Sequence, residues 1–554
     1  MVLKTLCIEQ DISDKAIKLL SLFMPRYTFI PGGEDASIVA QKCDGISPSP
    51  EGYALNIKDN RVSIKYQTYT SLRNAFATLS LMAREKDGVL SYEDTDMVDA
   101  PAISHRGIML DQARGVMPIE RVFQDMVLIA KAKFNILHLH LADSKGISIE
   151  VHCLPKAFWL EGYFTKEKVK ELVAFADLLA LEIIPEFDMP GHSTLLNELI
   201  PGIRCDTELE DPCLWTTCAG SENTYALYKN IIQEISAMFP DSRYFHIGGD
   251  ELEFLDLKRF CHWMECKTCR KKMEEEGLAD RQELVYYLIN RINGLVKECG
   301  KQAIIWSDQV DCTRPKGLDD DVILQFWRIA AAGRGPREGC SFDGQLKFGN
   351  RAINSFFPNA YIDFERYANP ENLGQWRWDE IPEVSEQHKS QIIGAETCAW
   401  EYGNRKNYTH YDYSLPSTIF LFGNKFWDGK KEVYDKNTAL ALTRAVLGSA
   451  TPEGFDVFAA VGSVMPPKLT APGEVYIPCY PDKVTISKEE ILEIIKILSD
   501  PTLFTGDDKK RADLYKECAE SALKEMDSVK KQATSDQMQT DENGMPVEVN
   551  QLFS

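Results

Sequence analysis

The chain has 554 residues, 44% hydrophobic and 26% charged, a composition that excludes a mainly disordered or fibrous protein. Lys and Arg total 62 against 84 Asp and Glu, and the net charge of −22 argues against a nucleic-acid or anionic-membrane surface, because phosphate would repel it. No apolar run approaches the roughly 18 residues that a membrane helix needs. At about 100–200 residues per domain the length allows three or four domains, although one α/β barrel absorbs 250 or more. The opening stretch meets Glu9 and Asp11 before an apolar signal core can form, so the cytoplasm is the expected compartment.

Residues 1–100 read as a small α/β unit. A helical pattern spans Asp14–Phe23, and Tyr53–Ile57 with Val62–Tyr66 flank the turn residues Asp59 and Asn60 as a hairpin would. A second helix is predicted over Ser71–Arg84, with Leu72, Ala75, Leu79 and Met82 at three- and four-residue spacing. From 101 to about 460 the rhythm changes. Short apolar runs recur at 107–110, 135–141, 182–187, 244–247, 303–306, 322–326, 352–356 and 391–395. Between several of them lie amphipathic helices, at 120–132, 166–181, 224–239 and 282–299. Eight strands buried on both faces and alternating with helices predict a (β/α)8 TIM barrel. The interval between Trp306 and Asp319 has room for a loop but hardly for a helix. A doubly wound sheet is the alternative. A C-terminal helical region is expected over 480–534, with patterns at 488–498 and 509–532, followed by a polar tail over 535–554.

The 15 cysteines are odd in number and scattered, which suits free buried thiols better than a disulfide framework. Cys261, Cys266 and Cys269, with His262 among them, contain one half of a zinc-knuckle spacing. No second CxxC pair follows, so plain thiols are expected, with no metal and no cofactor.

A barrel enzyme carries its working residues at the C-terminal ends of its strands. In order, those positions hold Asp111 and Arg114, then Asp143, then Glu186–His192, then His246–Glu251. Trp306 with Asp308, Trp327, Tyr361–Asp363 and Trp400–Tyr402 complete the rim. Aromatic faces at Trp306, Trp327, Tyr361 and Trp400 would stack on the C–H faces of a sugar, while carboxylates and arginines hold its hydroxyls. Gly248 and Gly249 let the backbone bend, so that adjacent Asp250 and Glu251 face one cavity. Two close carboxyls repel, and one then tends to keep its proton near neutrality, the condition for a general acid beside a carboxylate.

The segment His246–Glu251 resembles the signature of glycoside hydrolase family 20, the β-N-acetylhexosaminidases. The likeness extends through His105–Gly107 with Leu110, Asp111 and Arg114, then Asn135–Asp143, Phe187–His192, Trp306, Trp327, Tyr361–Asp363 and Trp400, and it spans roughly residues 50–450. The family also has a small domain before its barrel and a poorly formed fifth helix. The resemblance implies an exo-acting, retaining enzyme with substrate-assisted catalysis. Glu251 would be the general acid and base, and the substrate's 2-acetamido group the nucleophile. Asp250 would orient that group and stay ionised, and its repulsion with burial would raise the pKa of Glu251. By the same likeness Asp143 and His192 would tune the acid, and Arg106 would bind ring hydroxyls. Trp306, Trp327 and Trp400 would enclose the acetamido group and the ring, Tyr361 would donate to the acetamido oxygen, and Asp363 would contact distal hydroxyls.

Two positions depart from the family pattern. A Glu often stands two residues after the last pocket Trp; here Glu401 follows directly and Tyr402 takes the second place. Ser144 follows Asp143, where many relatives carry a second Asp. The first departure leaves the gluco-versus-galacto preference open: either Glu401 takes over the missing contact, or the distal end of the pocket is built differently. The expected partner is a small oligosaccharide or glycoside ending in N-acetylhexosamine, with no nucleic acid and no membrane, and the C-terminal helices offer either a homodimer surface or a lid. Two other readings remain. One is a retaining glycosidase with a protein nucleophile about 5 Å from Glu251, for which Asp363 or Glu396 would serve. The other is a non-catalytic sugar-binding protein, against which the presence of both Asp250 and Glu251 speaks.

Overall fold

The computed structural model describes residues 2–429 apart from 87–88, 209–213, 253–261, 314–316, 329–340, 358, 363–375, 380–382 and 404–407. The expected C-terminal helical region and polar tail lie outside the described residues.

The first hundred residues build a six-stranded mixed sheet. Its strand order is Tyr27–Pro31, Val2–Cys7, Ile38–Lys42, Arg61–Tyr66, Tyr53–Lys58 and Thr95–Asp99. The predicted hairpin pairs Tyr53 with Tyr66 through Lys58 with Arg61, and Asp59 and Asn60 both adopt positive φ (48° and 62°), as a two-residue turn requires. Val62, Ile64 and Tyr66 alternate inward. Helices Ser13–Phe23 and Tyr69–Met82 bury Leu19, Leu20, Leu72, Phe76 and Leu79. Strands Tyr27–Pro31, Ile38–Lys42 and Thr95–Asp99 were not anticipated. They are five residues each, and the last buries no side chain, so no apolar alternation marked it.

Eight parallel strands then close a barrel: β1 (His105–Asp111), β2 (Ile136–Asp143), β3 (Glu182–Phe187), β4 (Tyr244–His246), β5 (Gln302–Trp306), β6 (Ile323–Phe326), β7 (Ala352–Asn354) and β8 (Ile392–Ala399). Each pairs with the next, and β8 returns to β1 in register from Gly394 with His105 to Ala399 with Leu110. All eight predicted strands are present. Between β5 and β6 the described residues hold only a 3-10 turn, Ser307–Gln309. No helix among the described residues is long and apolar enough to cross a membrane.

The two-residue period of a strand stacks the barrel interior in layers. At the N-terminal end Ile136, Ile184, Tyr244, Ile304, Ile323 and Ile353 form an apolar plug. Two residues further along the same strands come His138, Glu186, His246, Trp306 and Gln325, all buried. The apolar layer thus seals one end, and a polar layer opens toward the other.

Candidate active site

At the C-terminal end of the barrel, Asp250 and Glu251 leave β4 through Gly248 and Gly249. Gly248 has φ 72°, and a Cβ there would lie 1.9 Å from Asp188 Oδ1, so only glycine allows this turn. Glu251 itself takes a left-handed φ of 51°, an uncommon state for a residue with a side chain. Two hydrogen bonds hold it there. Its amide donates to Asp308 Oδ2 at 3.0 Å, and its carbonyl accepts from Trp215 Nε1 at 2.9 Å. Its carboxyl stays partly open, 20% exposed, with His192 Nε2 at 3.5 Å and Arg328 at 4.0 Å.

Asp250 is buried, and its Oδ1 has no hydrogen-bond partner among the described residues. Burial pushes its carboxyl well above the ordinary range, helped by Asp188, Asp308 and Glu251 and opposed by His192. Asp250, expected as the ionised member of the pair, is thus held toward its proton by burial and by the carboxylates around it. Asp188 beside it is raised to about 7, again mainly by burial.

His192 sits among carboxylates, 3.2 Å from Asp143, 3.7 Å from Asp250 and 3.9 Å from Asp188. Burial alone would lower its pKa, but these neighbours lift it well above the usual value, so it is held as a cation. Asp143 is the reverse case. Burial would raise it, yet Arg114 at 2.8 Å and His192 hold it well below the carboxylate range. Ser144, at the position of the family's second Asp, donates its hydroxyl to Asp143 Oδ1 at 2.6 Å.

From Asp143 the network runs back into the barrel. His140 bonds Asp143 at 3.2 Å and Glu186 at 2.6 Å; His138 lies 3.1 Å from Glu186 and 3.0 Å from Glu396; His105 reaches Glu396 at 2.6 Å. Glu186 also accepts from Trp306 Nε1 at 2.7 Å. Glu396 is thus fully buried between two imidazoles and does not reach the rim. This removes it as a candidate nucleophile.

Four aromatic side chains converge beside the carboxyl pair. The rings of Trp327 and Tyr361 stack 6.1 Å apart at 8°, Trp306 and Trp400 lie 5.7 Å apart, and Tyr361 and Trp400 6.0 Å apart. Asp308 fixes one wall by accepting from Trp327 Nε1 at 3.2 Å and from Arg328 at 3.0 Å. Glu401 also stands at this end with φ 56°, its amide donating to Asp111 Oδ2 at 2.8 Å. Tyr402 turns away from the rim and buries its hydroxyl against Asp125. Asp363 lies outside the described residues.

The expectation for Arg106 is overturned. His105 points into the barrel, so period two directs Arg106 outward. Its guanidinium is 0% exposed and bonds the Ile103 and Lys133 carbonyls and Glu51, in the turn before the N-terminal strand Tyr53–Lys58. The arginine at the rim is Arg114, past the end of β1, which bonds Asp111 at 3.1 Å and lies 4.8 Å from the Trp400 ring. Sequence reasoning placed Asp308 on the rim without giving it a role, and it left Arg328 and Trp215 out of the site. Trp215 sits in a long loop with no pattern to mark it.

Residues 103–427, more than half of the chain, match the family model "Glycosyl hydrolase family 20, catalytic domain". The chain is 26% identical over 397 residues to the β-hexosaminidase subunit α of Rattus norvegicus, covering 67% of this chain and 70% of that protein. It is 25% identical over 428 residues to the β-hexosaminidase subunit β of Homo sapiens, covering 72% and 71%. Among solved structures, an exo-β-N-acetylglucosaminidase from Vibrio harveyi in complex with N-acetylglucosamine superposes with a TM-score of 0.68 at 19% identity, covering 80% of this chain and 73% of that one. A β-N-acetylhexosaminidase from Bacteroides fragilis superposes with a TM-score of 0.65 at 21% identity, covering 80% and 91%. At these identities the structural likeness speaks to the fold.

Proposed function

The chain belongs to glycosyl hydrolase family 20, and on that premise we propose that it is an exo-acting, retaining β-N-acetylhexosaminidase that releases terminal N-acetyl-β-D-hexosamine with the substrate's own acetamido group as nucleophile. It is a glycoside hydrolase; the substrate and the mechanism are the reading argued here.

The observation that carries the reading is the unpartnered, buried Oδ1 of Asp250 beside an aromatic enclosure. A buried acceptor without a donor is costly, and an acetamido N–H would satisfy it. The faces of Trp306, Trp327, Tyr361 and Trp400 suit the acetamido methyl and the sugar ring. In the first step Glu251 gives its proton to the leaving glycosidic oxygen as the acetamido oxygen attacks the anomeric carbon. The C–O bond to the aglycone breaks, and a cyclic oxazolinium forms. Both the N–H donor and the positive charge favour the ionised state of Asp250, against the push of burial. Glu251 then takes a proton from water, whose oxygen opens the ring at the anomeric carbon with net retention.

Of the two carboxylates that a retaining mechanism with a protein nucleophile would use, Glu396 is committed to His105 and His138. Glu401, at the same end of the barrel, is the carboxylate this reading assigns to the distal hydroxyls. The cytoplasmic setting belongs to this proposal. The test is hydrolysis of the p-nitrophenyl N-acetyl-β-D-glucosaminide and galactosaminide beside the plain β-D-glucoside, with wild type and Glu251→Gln. Turnover of acetamido substrates alone, abolished in the variant, is expected. Equal rates on the plain glucoside would sink substrate assistance, and no turnover of any would favour a sugar-binding protein.

A further inference from the structure

Away from the sugar pocket, Cys205, Cys218, Cys266 and Cys269 converge on one buried point. Their sulfurs all lie within 4.8 Å of one another, and Cys218 Sγ is 3.5 Å from Cys269 Sγ and 3.7 Å from Cys266 Sγ. None is in a disulfide, whose sulfurs would be about 2.0 Å apart. A tetrahedral zinc with Zn–S bonds of about 2.3 Å has sulfur–sulfur edges of about 3.8 Å. From this we infer that the four cysteines form a structural zinc site tying the segment after β3 to the helix after β4.

The surrounding backbone holds the ligands. Cys266 caps the helix Lys267–Glu276, and its sulfur accepts from the Cys269 amide at 3.5 Å, so the positive end of the helix faces thiolate charge. The Cys266 amide donates to the His262 carbonyl at 2.9 Å, the Lys267 amide to the Asp206 carbonyl at 3.0 Å, and the Cys218 amide to the Ile203 carbonyl at 2.6 Å. Gly220 permits the close approach, since a Cβ there would lie 2.5 Å from the Thr268 carbonyl oxygen. His262 is not one of the converging ligands, and Cys261 lies outside the described residues. The expectation of plain thiols arose because Cys205 and Cys218 lie far from Cys266 and Cys269 in sequence and form no second knuckle. Only the fold brings them to Cys266 and Cys269.

The site has a mechanical consequence. Trp215, three residues before Cys218, holds the Glu251 carbonyl and packs 4.3 Å from the His192 ring. Trp263, three residues before Cys266, donates to the Thr217 carbonyl at 2.9 Å. Zinc would fasten the two segments that position the acid without touching the substrate.

The experiment is elemental analysis of the full chain from zinc-supplemented culture after exhaustive dialysis, with Cys218→Ser and Cys266→Ser beside it. About one zinc per chain is expected in wild type, released by a mercurial and lost in both variants. If the variants fail to fold, wild type refolded with cobalt(II) should show the intense visible bands of a tetrahedral tetrathiolate. Four freely reactive thiols with only trace metal, a disulfide between any two of them, or one equivalent of iron in place of zinc would overturn the assignment.

Discussion

Trp215 governs Glu251 through its backbone: the indole nitrogen donates to the Glu251 carbonyl oxygen at 2.9 Å while the carboxyl of the same residue remains partly open. The acid is thus aimed by a left-handed backbone that a neighbouring loop holds in place. Trp215→Phe keeps an aromatic ring beside His192 and deletes this bond, worth about 1 kcal/mol. If the bond matters chiefly in the transition state, kcat should fall roughly fivefold with KM nearly unchanged. Steady-state kinetics will decide; an unchanged kcat would mean that the Asp308 contact alone suffices.

Asp250→Asn preserves shape but cannot balance the oxazolinium charge. A fall in kcat of about 10²–10³ is expected, with a small change in KM. The measurement is hydrolysis of the acetamido substrate by purified variant. A loss confined to KM would show that Asp250 only binds.

Arg106 and Arg114 should part company. Removing Arg106 strands Glu51 against the barrel, and breaking a buried pair costs about 3–5 kcal/mol. Arg106→Met should therefore lower the unfolding midpoint markedly, with KM of the folded fraction unchanged. Arg114→Ala removes a rim guanidinium from Asp143 and Trp400, so kcat/KM should drop more than tenfold by order of magnitude. Denaturant titration and kinetics on both variants separate the two roles.

Stability should fall on the alkaline side. Burial acts to lower the pKa of His138, but Glu396 and Glu186 raise it to about 9. Because the folded value lies above the unfolded one, the gain is complete below about pH 6.5 and is lost as pH rises through the folded value. Thermal midpoints of wild type should decline across that window, and Glu396→Gln should start lower and flatten the curve. Parallel curves would show that this imidazole does not set the slope.

The barrel was legible because its strands are short, apolar and regularly spaced, and because carboxylates and tryptophans recur at their ends. Asp250 and Glu251 could be read from the glycines before them. Arg106 was misread because two arginines share one segment and only the inward phase of His105 separates them. That phase could have been counted back from Asp111. The electrostatics of the pair were less accessible: Asp188 and Asp308 arrive from other strands, and their effect on Asp250 depends on distances that spacing does not encode. The four-cysteine convergence was hidden for the same reason, since loop closure is invisible to local pattern.

Glu51 sits in the N-terminal unit, yet it accepts from Arg106 at 3.3 Å and from Asn135 at 2.8 Å, at the starts of two barrel strands. Arg73 of the same unit bonds the Ala130 carbonyl at 2.7 Å, and Lys133 reaches back to Asp99 at 2.9 Å. A barrel severed at residue 101 would keep a guanidinium and an ammonium, both embedded, and lose the anions that make them tolerable. The sheet is therefore not a removable accessory. Any exchange of this unit for another would have to import a matching carboxylate with it, so the two parts can be moved only as a single block.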